Sequence, residues 1–366
     1  MHPHQYQRKE SDGFFRFFPP PRFLEMSAAG LDISGKSVKF IEFRKTSGGL
    51  RISKYGRESI PAGAVSGGEI KNKEAVVSVL KKIKEKYGLH FVRLSLPEEK
   101  AYIYHTTVPR EAADNIKEAA SFTLEENVPV SPSEIIFDAE VIEENDHNHI
   151  DITVSAFPKG GVENYISVCE EAGLSPLSME IEAEAVARAI LPEGDKGTYL
   201  VLDFGATRSS LFVASRGSVH FTATLEIGGD GLTKTIEKYS GLPYEEAEKL
   251  KRRGGLVKTK DNGDLFQALM GTVSALKDEI NRYYVYWHTH TSKSGDRVDR
   301  IEKIIICGGE ANLPGLAEYL SSSLKVRVDT ANVWTNVFSV EDSVPEIPFE
   351  ESLGYATAAG LALRRV

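Results

Sequence analysis

Two stretches of this chain, far apart in the sequence, share one design that constrains the fold. In residues 30–41, and again in residues 199–213, an apolar strand reaches an Asp, turns through small residues and returns as a second strand. The two acids are Asp32 and Asp203. A turn of Gly and Ser lets backbone N–H groups converge on an anion, and a preceding Asp can hold a metal ion or its waters. Two such hairpins facing each other would clamp the phosphates of a nucleotide.

A third glycine turn supports this prediction. Residues 304–307 read as a buried strand, and Gly308 and Gly309 follow it before a helix opened by Pro314 and Gly315. Paired glycines at this point would let a purine ring lie close to the backbone. Each motif alone is a weak signal, because Asp and Gly are ordinary residues of structural turns.

In this order the three motifs resemble the actin-like ATPase superfamily, which includes actin, the heat-shock chaperone ATPases, sugar kinases and the cell-division protein FtsA. The resemblance implies an α/β fold with duplicated ribonuclease H-like lobes and a small inserted α+β domain. The length of 366 residues fits this architecture, because it exceeds what one compact core usually holds.

Composition narrows the classes of partner and compartment. The formal net charge of −9 argues against nucleic acid as the main partner, since neutralising phosphates needs a basic surface. One basic run, residues 249–253 with Lys258 and Lys260 beyond it, reads mostly as a solvated helix end. Cys169 and Cys307 indicate neither a disulfide framework nor a zinc site, so a reducing cytoplasm is expected. No stretch approaches the roughly 20 apolar residues that cross a bilayer, and we recognise no signal peptide.

The order of strand and helix patterns divides the chain into segments. A break over residues 191–197 marks a lobe boundary. The aromatic and proline-rich residues 14–24 could touch a membrane surface or a partner, or fold back over their own domain. We predict a flexible N-terminal segment (1–27), a first lobe in two parts (28–99 and 174–196), an inserted α+β domain (100–173), a second lobe (197–345) with a helical subdomain (233–299), and a return to the first lobe (346–366).

The sequence between the motifs resembles the type IV pilus assembly protein PilM family from about residue 26 onward. The most specific stretches are residues 225–236, which read LEIGGDGLTKTI, and residues 241–251, which read GLPYEEAEKLK. The inserted domain also fits, because PilM and FtsA share one at this position and actin does not. FtsA ends in a membrane-targeting amphipathic helix, and its absence here favours PilM.

The resemblance implies a cytoplasmic, ATP-binding scaffold at the inner face of the cytoplasmic membrane. Such a protein captures the cytoplasmic tail of PilN in a groove between the first lobe and the inserted domain, and links the inner-membrane complex to the motor ATPases. Membrane association would be peripheral and through partners, and ATPase activity at most slow. A predicted helix over residues 110–126 offers Ile116, Ala119, Ala120 and Phe122 to a facing ligand, although all four could instead belong to the core.

The same resemblance assigns the site residues. Mg²⁺ would be held by Asp32 and Asp203, mostly through water. Glu248 and Lys251 lie three residues apart on one helix face and would meet the ribose, with an exposed ion pair as the alternative. The ATP-binding set is Ser34, Gly35, Lys36 and Ser37 at the first turn, Gly205, Ala206 and Thr207 at the second, and Gly228, Gly229, Glu248, Lys251, Gly308, Gly309 and Asn312 around the nucleoside.

Two positions depart from the PilM pattern. Ser34 stands where the family usually has Gly, so a Cβ occupies the phosphate turn and hydrolysis is less certain than binding. Glu182 aligns with the acid that orients the attacking water, but Ala183 replaces the usual Pro. The other interpretation of Glu182 is a carboxylate favoured by the helix dipole.

Two other functions remain open from the sequence. One is an FtsA-like filament protein of cell division, which would polymerise with ATP and anionic lipid. The other is a sugar or acetate kinase on the same fold, although no further carboxylate motif for a sugar hydroxyl lies beside the phosphate turns.

Overall fold

The computed structural model describes residues 27–47, 49–143, 149–258, 263–289, 299–338 and 344–364. Residues 14–24, and most of the acidic loop between residues 143 and 149, lie outside these ranges. The chain divides into two compact units between Glu182 and Ala183, upstream of the boundary that the sequence predicts near residue 196.

The first unit contains ten strands and four α-helices among its described residues. The strands are β1 (Ala29–Ile33), β2 (Ser37–Thr46), β3 (Gly49–Ser59), β4 (Val65–Ser66), β5 (Glu69–Ile70), β6 (Phe91–Leu96), β7 (Tyr102–Pro109), β8 (Ile135–Glu143), β9 (His149–Pro158) and β10 (Ser175–Ile181). The helices are α1 (Lys73–Tyr87), α2 (Ile116–Ser121), α3 (Leu124–Asn127) and α4 (Lys159–Glu171).

The second unit is described by five strands and seven α-helices, the first of which begins at the boundary. The strands are β11 (Thr198–Phe204), β12 (Ser209–Ser215), β13 (Ser218–Leu225), β14 (Lys303–Cys307) and β15 (Val328–Thr330). The helices are α5 (Glu182–Ile190), α6 (Gly229–Ser240), α7 (Tyr244–Gly254), α8 (Gly263–Thr289), α9 (Leu316–Leu324), α10 (Phe349–Ser352) and α11 (Ala356–Leu363).

The main sheets of the two units have the same topology. The first has the order β3-β2-β1-β6-β10 and the second the order β13-β12-β11-β14-β15. In each sheet the first three strands are antiparallel and the last two run parallel to the strand that carries the Asp. This repetition confirms the predicted duplication of ribonuclease H-like lobes.

Helix α1 shows how the sequence sets an element's limits. Asn72 caps its start by accepting a hydrogen bond from the Ala75 amide at 3.0 Å, and Gly88 ends it with a φ of 62°. Between these ends, Val76, Leu80 and Ile83 are buried on one face, as the helical spacing of apolar residues predicts.

The inserted segment has an antiparallel sheet in the order β7-β9-β8, with its own core around Ile152 and Val154. The last helix of the segment, α4, packs elsewhere: its Val162, Tyr165 and Val168 belong to the hydrophobic core of the first main sheet. This helix is therefore integral to the packing of the larger sheet.

The single helix predicted over residues 110–126 is wrong. A 3₁₀ helix (Arg110–Asn115) precedes α2, and α2 and α3 are separate. The hydroxyl of Thr123 bonds the carbonyl of Ala120 at 2.8 Å, and the Thr123 amide bonds the same carbonyl at 3.0 Å. A side-chain hydroxyl that competes for a backbone carbonyl in this way favours a turn over a continued helix.

In the second unit, the Ala- and Gly-rich helix α11 packs closely on α5. A Cβ at Gly360 would lie 1.7 Å from the carbonyl oxygen of Ala185, and Arg188 donates to the Gly360 carbonyl at 3.1 Å. Small residues are therefore needed where the last helix meets a neighbouring backbone. Over the described residues, no helix combines the length and apolar character needed to span a membrane.

Candidate functional site

The first turn, residues 34–36, joins β1 to β2 and is held by its own serine. The amide and the hydroxyl of Ser34 both donate to the carbonyl of Ser37, at 3.0 and 2.9 Å. The carbonyl of Lys36 accepts from the amide of Ile60 at 2.9 Å. Ser34, which stands where the sequence comparison expects a glycine, therefore holds the two ends of the turn together through two hydrogen bonds.

Asp32, just before this turn, is buried and paired. Lys39 lies opposite it on β2, and its Nζ is 3.3 Å from Asp32 Oδ2. The hydroxyl of Ser95 on β6 donates to Asp32 Oδ1 at 3.4 Å. An ammonium beside a carboxylate next to a phosphate-sized turn can bind a phosphate while the carboxylate holds metal-bound water.

Sequence reasoning missed Lys39. The signal was available, since Ile33 pairs with Val38 across four intervening residues, and this register places residue 39 opposite residue 32.

The second turn, residues 205–208, joins β11 to β12 and needs a glycine at its start. The amide of Gly205 donates to the carbonyl of Arg208 at 3.1 Å, and a Cβ at Gly205 would lie 2.6 Å from that oxygen. Asp203 precedes the turn on β11, as predicted, and is partly buried.

The start of α6 fastens this turn. The amides of Gly229 and Asp230 donate to the carbonyls of Gly205 and Ala206, at 3.0 and 2.8 Å. A Cβ at Gly228 would lie 2.5 Å from the carbonyl oxygen of Ala206. Residue 228 is therefore glycine because the turn packs on it, and two amides at the start of α6 are already bonded to protein.

The paired glycines after β14 have unlike surroundings. Gly308 has a φ of +94°, and a Cβ there would lie 2.3 Å from Asp203 Oδ1 and 2.5 Å from the carbonyl oxygen of Phe204. Gly309 is exposed, and a Cβ there would meet no atom within 4 Å. Gly308 is thus required by contact with β11, and only Gly309 has open space at its Cα.

A buried ionic network joins α6, α7 and the turn after β14. The side chain of Lys251 is 1% exposed, and its Nζ lies 2.8 Å from Glu248 Oε2, 2.7 Å from Glu310 Oε2 and 3.2 Å from the carbonyl oxygen of Gly229. Thr233 donates to Glu248 Oε2 at 2.6 Å. The alternative prediction, that Glu248 and Lys251 form an exposed ion pair, is therefore wrong. Lys251 is also an exception to the prediction that the basic run 249–253 is mostly solvated.

Arg252 covers the outer side of this network. Its Nε donates to Glu248 Oε1 at 2.7 Å, and one terminal nitrogen lies 3.9 Å from Glu310 Oε1. Burial acts to raise the pKa of Glu248, but hydrogen bonds from Lys251 and Thr233, with the charge of Lys251, outweigh it and lower the pKa to about 2. Glu248 is therefore ionised across the physiological range.

Two further residues of the predicted set lie at defined places. The side-chain amide of Asn312 donates to the backbone carbonyl of Glu350. Glu182 is the first residue of α5 and half-buried.

Each unit gathers its own share of the predicted residues. The first unit brings Asp32, Ser34, Gly35, Lys36 and Ser37 together with Lys39. The second unit joins Asp203, Gly205, Ala206, Gly228, Gly229, Glu248, Lys251 and Gly308 through direct contacts with one another or with Glu310. Sequence reasoning missed Glu310, although a carboxylate directly after two glycines was a visible signal.

A family model described as type IV pilus assembly protein PilM matches residues 30–366. A chain of the PilM–PilN type IV pilus biogenesis complex is 22% identical, with a TM-score of 0.76, covering 92% of this chain and 98% of its own. MreB5 of Spiroplasma citri bound to ADP is 15% identical, with a TM-score of 0.54, covering 85% of this chain and 93% of its own. These structures establish the actin-like ATPase fold.

Among curated proteins, the cell division protein FtsA of Enterococcus hirae is 27% identical over an alignment of 210 residues, and the match covers 50% of this chain and 47% of FtsA. FtsA of Streptococcus pneumoniae serotype 2 is 27% identical over an alignment of 184 residues, and the match covers 47% of this chain and 40% of FtsA. The chain thus spans about half the length or less of the curated relatives it matches.

Proposed function

The chain belongs to the type IV pilus assembly protein PilM family, and from this premise we propose that it is an ATP-binding scaffold of pilus or related type II secretion assembly. In this proposal it binds ATP with Mg²⁺ and captures the cytoplasmic tail of PilN. Through these two ligands it links the inner-membrane complex to the motor ATPases, and it reaches the inner face of the cytoplasmic membrane only through its partners.

The observation that carries the nucleotide proposal is the pair of Asp-turn hairpins at equivalent places in two sheets of the same topology. In each sheet the Asp is the last residue but one of the central strand. Phosphate turns in this position suit a nucleotide, and MreB5 with the same fold binds ADP.

Magnesium fits the donors that these hairpins offer. Asp32 and Asp203 supply hard oxygen ligands, which Mg²⁺ prefers. Within the described ranges, no group of three or more His, Cys, Asp or Glu side chains could hold a metal ion. In this proposal, an ion held by either acid takes its remaining ligands mostly from water and from the nucleotide phosphates.

Titration calorimetry with ATP, in the presence and absence of Mg²⁺, tests the nucleotide site. Asp203→Asn keeps the shape that Gly308 packs against while removing the charge, so we expect Mg²⁺-dependent affinity to fall at least tenfold. Asp329→Asn is the matched control, because Asp329 lies on β15 of the same sheet and is paired with Lys303 and Arg327. Equal affinities for the wild type and Asp203→Asn would refute the assignment.

The proposal for the partner rests on family membership and on one exposed side chain of the inserted segment. PilN accompanies PilM in the structurally similar complex. Ile116, Ala119 and Ala120 pack in or against the core of this segment, so the alternative that they are core residues holds for these three. Phe122 is 77% exposed and remains available to anchor an apolar tail.

A further inference from the structure

Lys251 has no donor left for a ligand. An ammonium group has three N–H donors, and three acceptors surround this one: a carboxylate oxygen of Glu248, one of Glu310 and the carbonyl of Gly229. The side chain is almost completely buried. A nucleotide could bond Lys251 only by displacing one of these partners.

Glu248, by contrast, keeps one acceptor position. A carboxylate offers about four acceptor sites on its two oxygens. Lys251 and Thr233 occupy Oε2, and Arg252 occupies one site on Oε1, among the residues that the structure describes. The open site is on Oε1, and the Glu248 side chain is 18% exposed. One hydroxyl group can therefore donate to Glu248 without disturbing the network.

Glu310 lies at the buried end of this arrangement, in space that exists because residue 229 is glycine. A Cβ at Gly229 would lie 2.2 Å from the Cδ of Glu310. Glu310 is the second carboxylate that balances Lys251 and Arg252, and its side chain is only 8% exposed. Without its charge, Lys251 would be left partly uncompensated in a buried place.

We propose that Glu310 is a positioning residue of the nucleoside site: it holds Lys251 as a buried cross-link, so that Glu248 Oε1, and not Lys251, receives a ribose hydroxyl. This inference deepens the proposed ATP site and rests on it. Glu310 itself does not touch the nucleotide. Its effect travels through Lys251 to the orientation of Glu248.

Ribose discrimination is the decisive measurement, with Mg²⁺-ATP, 2′-deoxy-ATP and 3′-deoxy-ATP as probes. Removing the ribose hydroxyl that donates to Glu248 removes a hydrogen bond to a charged group. The wild type should therefore bind one of the two deoxy analogues at least about tenfold more weakly than ATP. Glu248→Gln should reduce this ratio to about twofold. Glu310→Gln, which keeps the shape of the side chain, should reduce it to a similar value.

Inorganic tripolyphosphate separates positioning from general damage. Its affinity depends on the phosphate turns, so it should stay within about twofold in Glu310→Gln if the residue acts only at the nucleoside. Glu58→Gln is the matched control, because Glu58 is also held by two lysines, Lys82 and Lys86, on a strand of the first unit. This control should leave all four affinities unchanged.

A second measurement requires no nucleotide. Acetylation of the native protein, followed by mass spectrometry, should label the exposed Lys249 quickly and Lys251 at least tenfold more slowly. Glu310→Gln should accelerate labelling of Lys251, and Glu58→Gln should not. Rapid labelling of Lys251 in the wild type, or undiminished ribose discrimination in Glu310→Gln, would overturn the inference. A wild type that binds tripolyphosphate and ATP equally well would overturn it too, whereas absence of all nucleotide binding would overturn the proposed ATP site with it.

Discussion

Gly308 lies directly against the carboxylate of Asp203, and a Cβ at residue 308 would be 2.3 Å from Asp203 Oδ1. The turn after β14 therefore touches the acid of the second hairpin, and two of the three glycine motifs in the sequence meet at this contact. Because Phe204 also presents backbone atoms at 2.5 and 2.7 Å, a side-chain movement of Asp203 cannot relieve the overlap. Gly309, one residue later, has no such neighbour.

Substitution of these two glycines should separate stability from binding. Gly308→Ala adds a Cβ at positive φ against the backbone, and should lower the free energy of unfolding by roughly 2 to 5 kcal/mol. Gly309→Ala should change it by less than about 1 kcal/mol. Urea unfolding measures both. Gly309→Val should weaken ATP binding in calorimetry and leave the affinity for tripolyphosphate unchanged. Equal losses of stability in Gly308→Ala and Gly309→Ala would contradict the contact between Gly308 and Asp203.

The sequence predicted the parts of the site that depend on local geometry. Asp32 and Asp203 reach their turns because each belongs to a hairpin in which strand, turn and return strand are contiguous. The environments of Gly308 and Lys251 were not predictable in this way. They depend on Phe204 and Glu310, which are distant in sequence and brought close only by the sheet and the helix packing.

The inserted segment shows the same limit for fold prediction. Apolar residues at helical spacing suggested one helix over residues 110–126, but spacing alone does not register that Thr123 bonds the Ala120 carbonyl and also lies 2.8 Å from the Tyr104 hydroxyl. Tyr104 lies on β7, 19 residues before Thr123, so this contact exists only in the folded segment and no local pattern of residues encodes it.

Acid unfolding should measure how much the buried network around Glu248 and Lys251 stabilises the fold. The folded pKa of Glu248 is about 2 against an ordinary 4.5, so its stabilisation is complete above pH 4.5 and is lost as the pH falls towards 2. This contribution of Glu248 to the free energy of unfolding is on the order of 3 kcal/mol. Glu248→Gln should therefore be less stable than the wild type at pH 6, with a shallower loss of stability between pH 4.5 and 2 in urea titrations.

Glu69 provides the matched control for this titration. Its pKa is also lowered to about 2, by hydrogen bonds from Lys100 and Lys71, but the group is exposed to solvent. Solvent screens exposed pairs, so Glu69→Gln should follow the wild-type acid curve. Parallel acid curves for Glu248→Gln and the wild type would show that the network does not stabilise the fold.

Hydrolysis of ATP by the wild type should be slow, because a Cβ occupies the first phosphate turn at Ser34. The structure adds that the Ser34 hydroxyl closes this turn on the Ser37 carbonyl. Ser34→Gly removes both features and should increase turnover, whereas Ser34→Ala keeps the Cβ and should stay slow. A coupled phosphate-release assay distinguishes them. A wild-type rate on the order of 10 per second or more would contradict a scaffold role.

The last prediction concerns the PilN tail. Deleting residues 100–173 is not a clean test, because Val162 and Tyr165 of α4 belong to the core of the main sheet, and their loss would unfold the first unit. Phe122→Ala changes only an exposed side chain, and burying a Phe against a partner contributes about 1.5 to 3 kcal/mol. We therefore expect roughly 10- to 100-fold weaker binding of a fluorescent PilN tail peptide in polarisation assays. Tyr239→Ala, at an exposed aromatic residue of α6 in the second unit, is the matched control and should bind the tail as the wild type does. If Phe122→Ala retains full affinity, the anchor for the tail lies elsewhere, and the exposed Phe serves another contact.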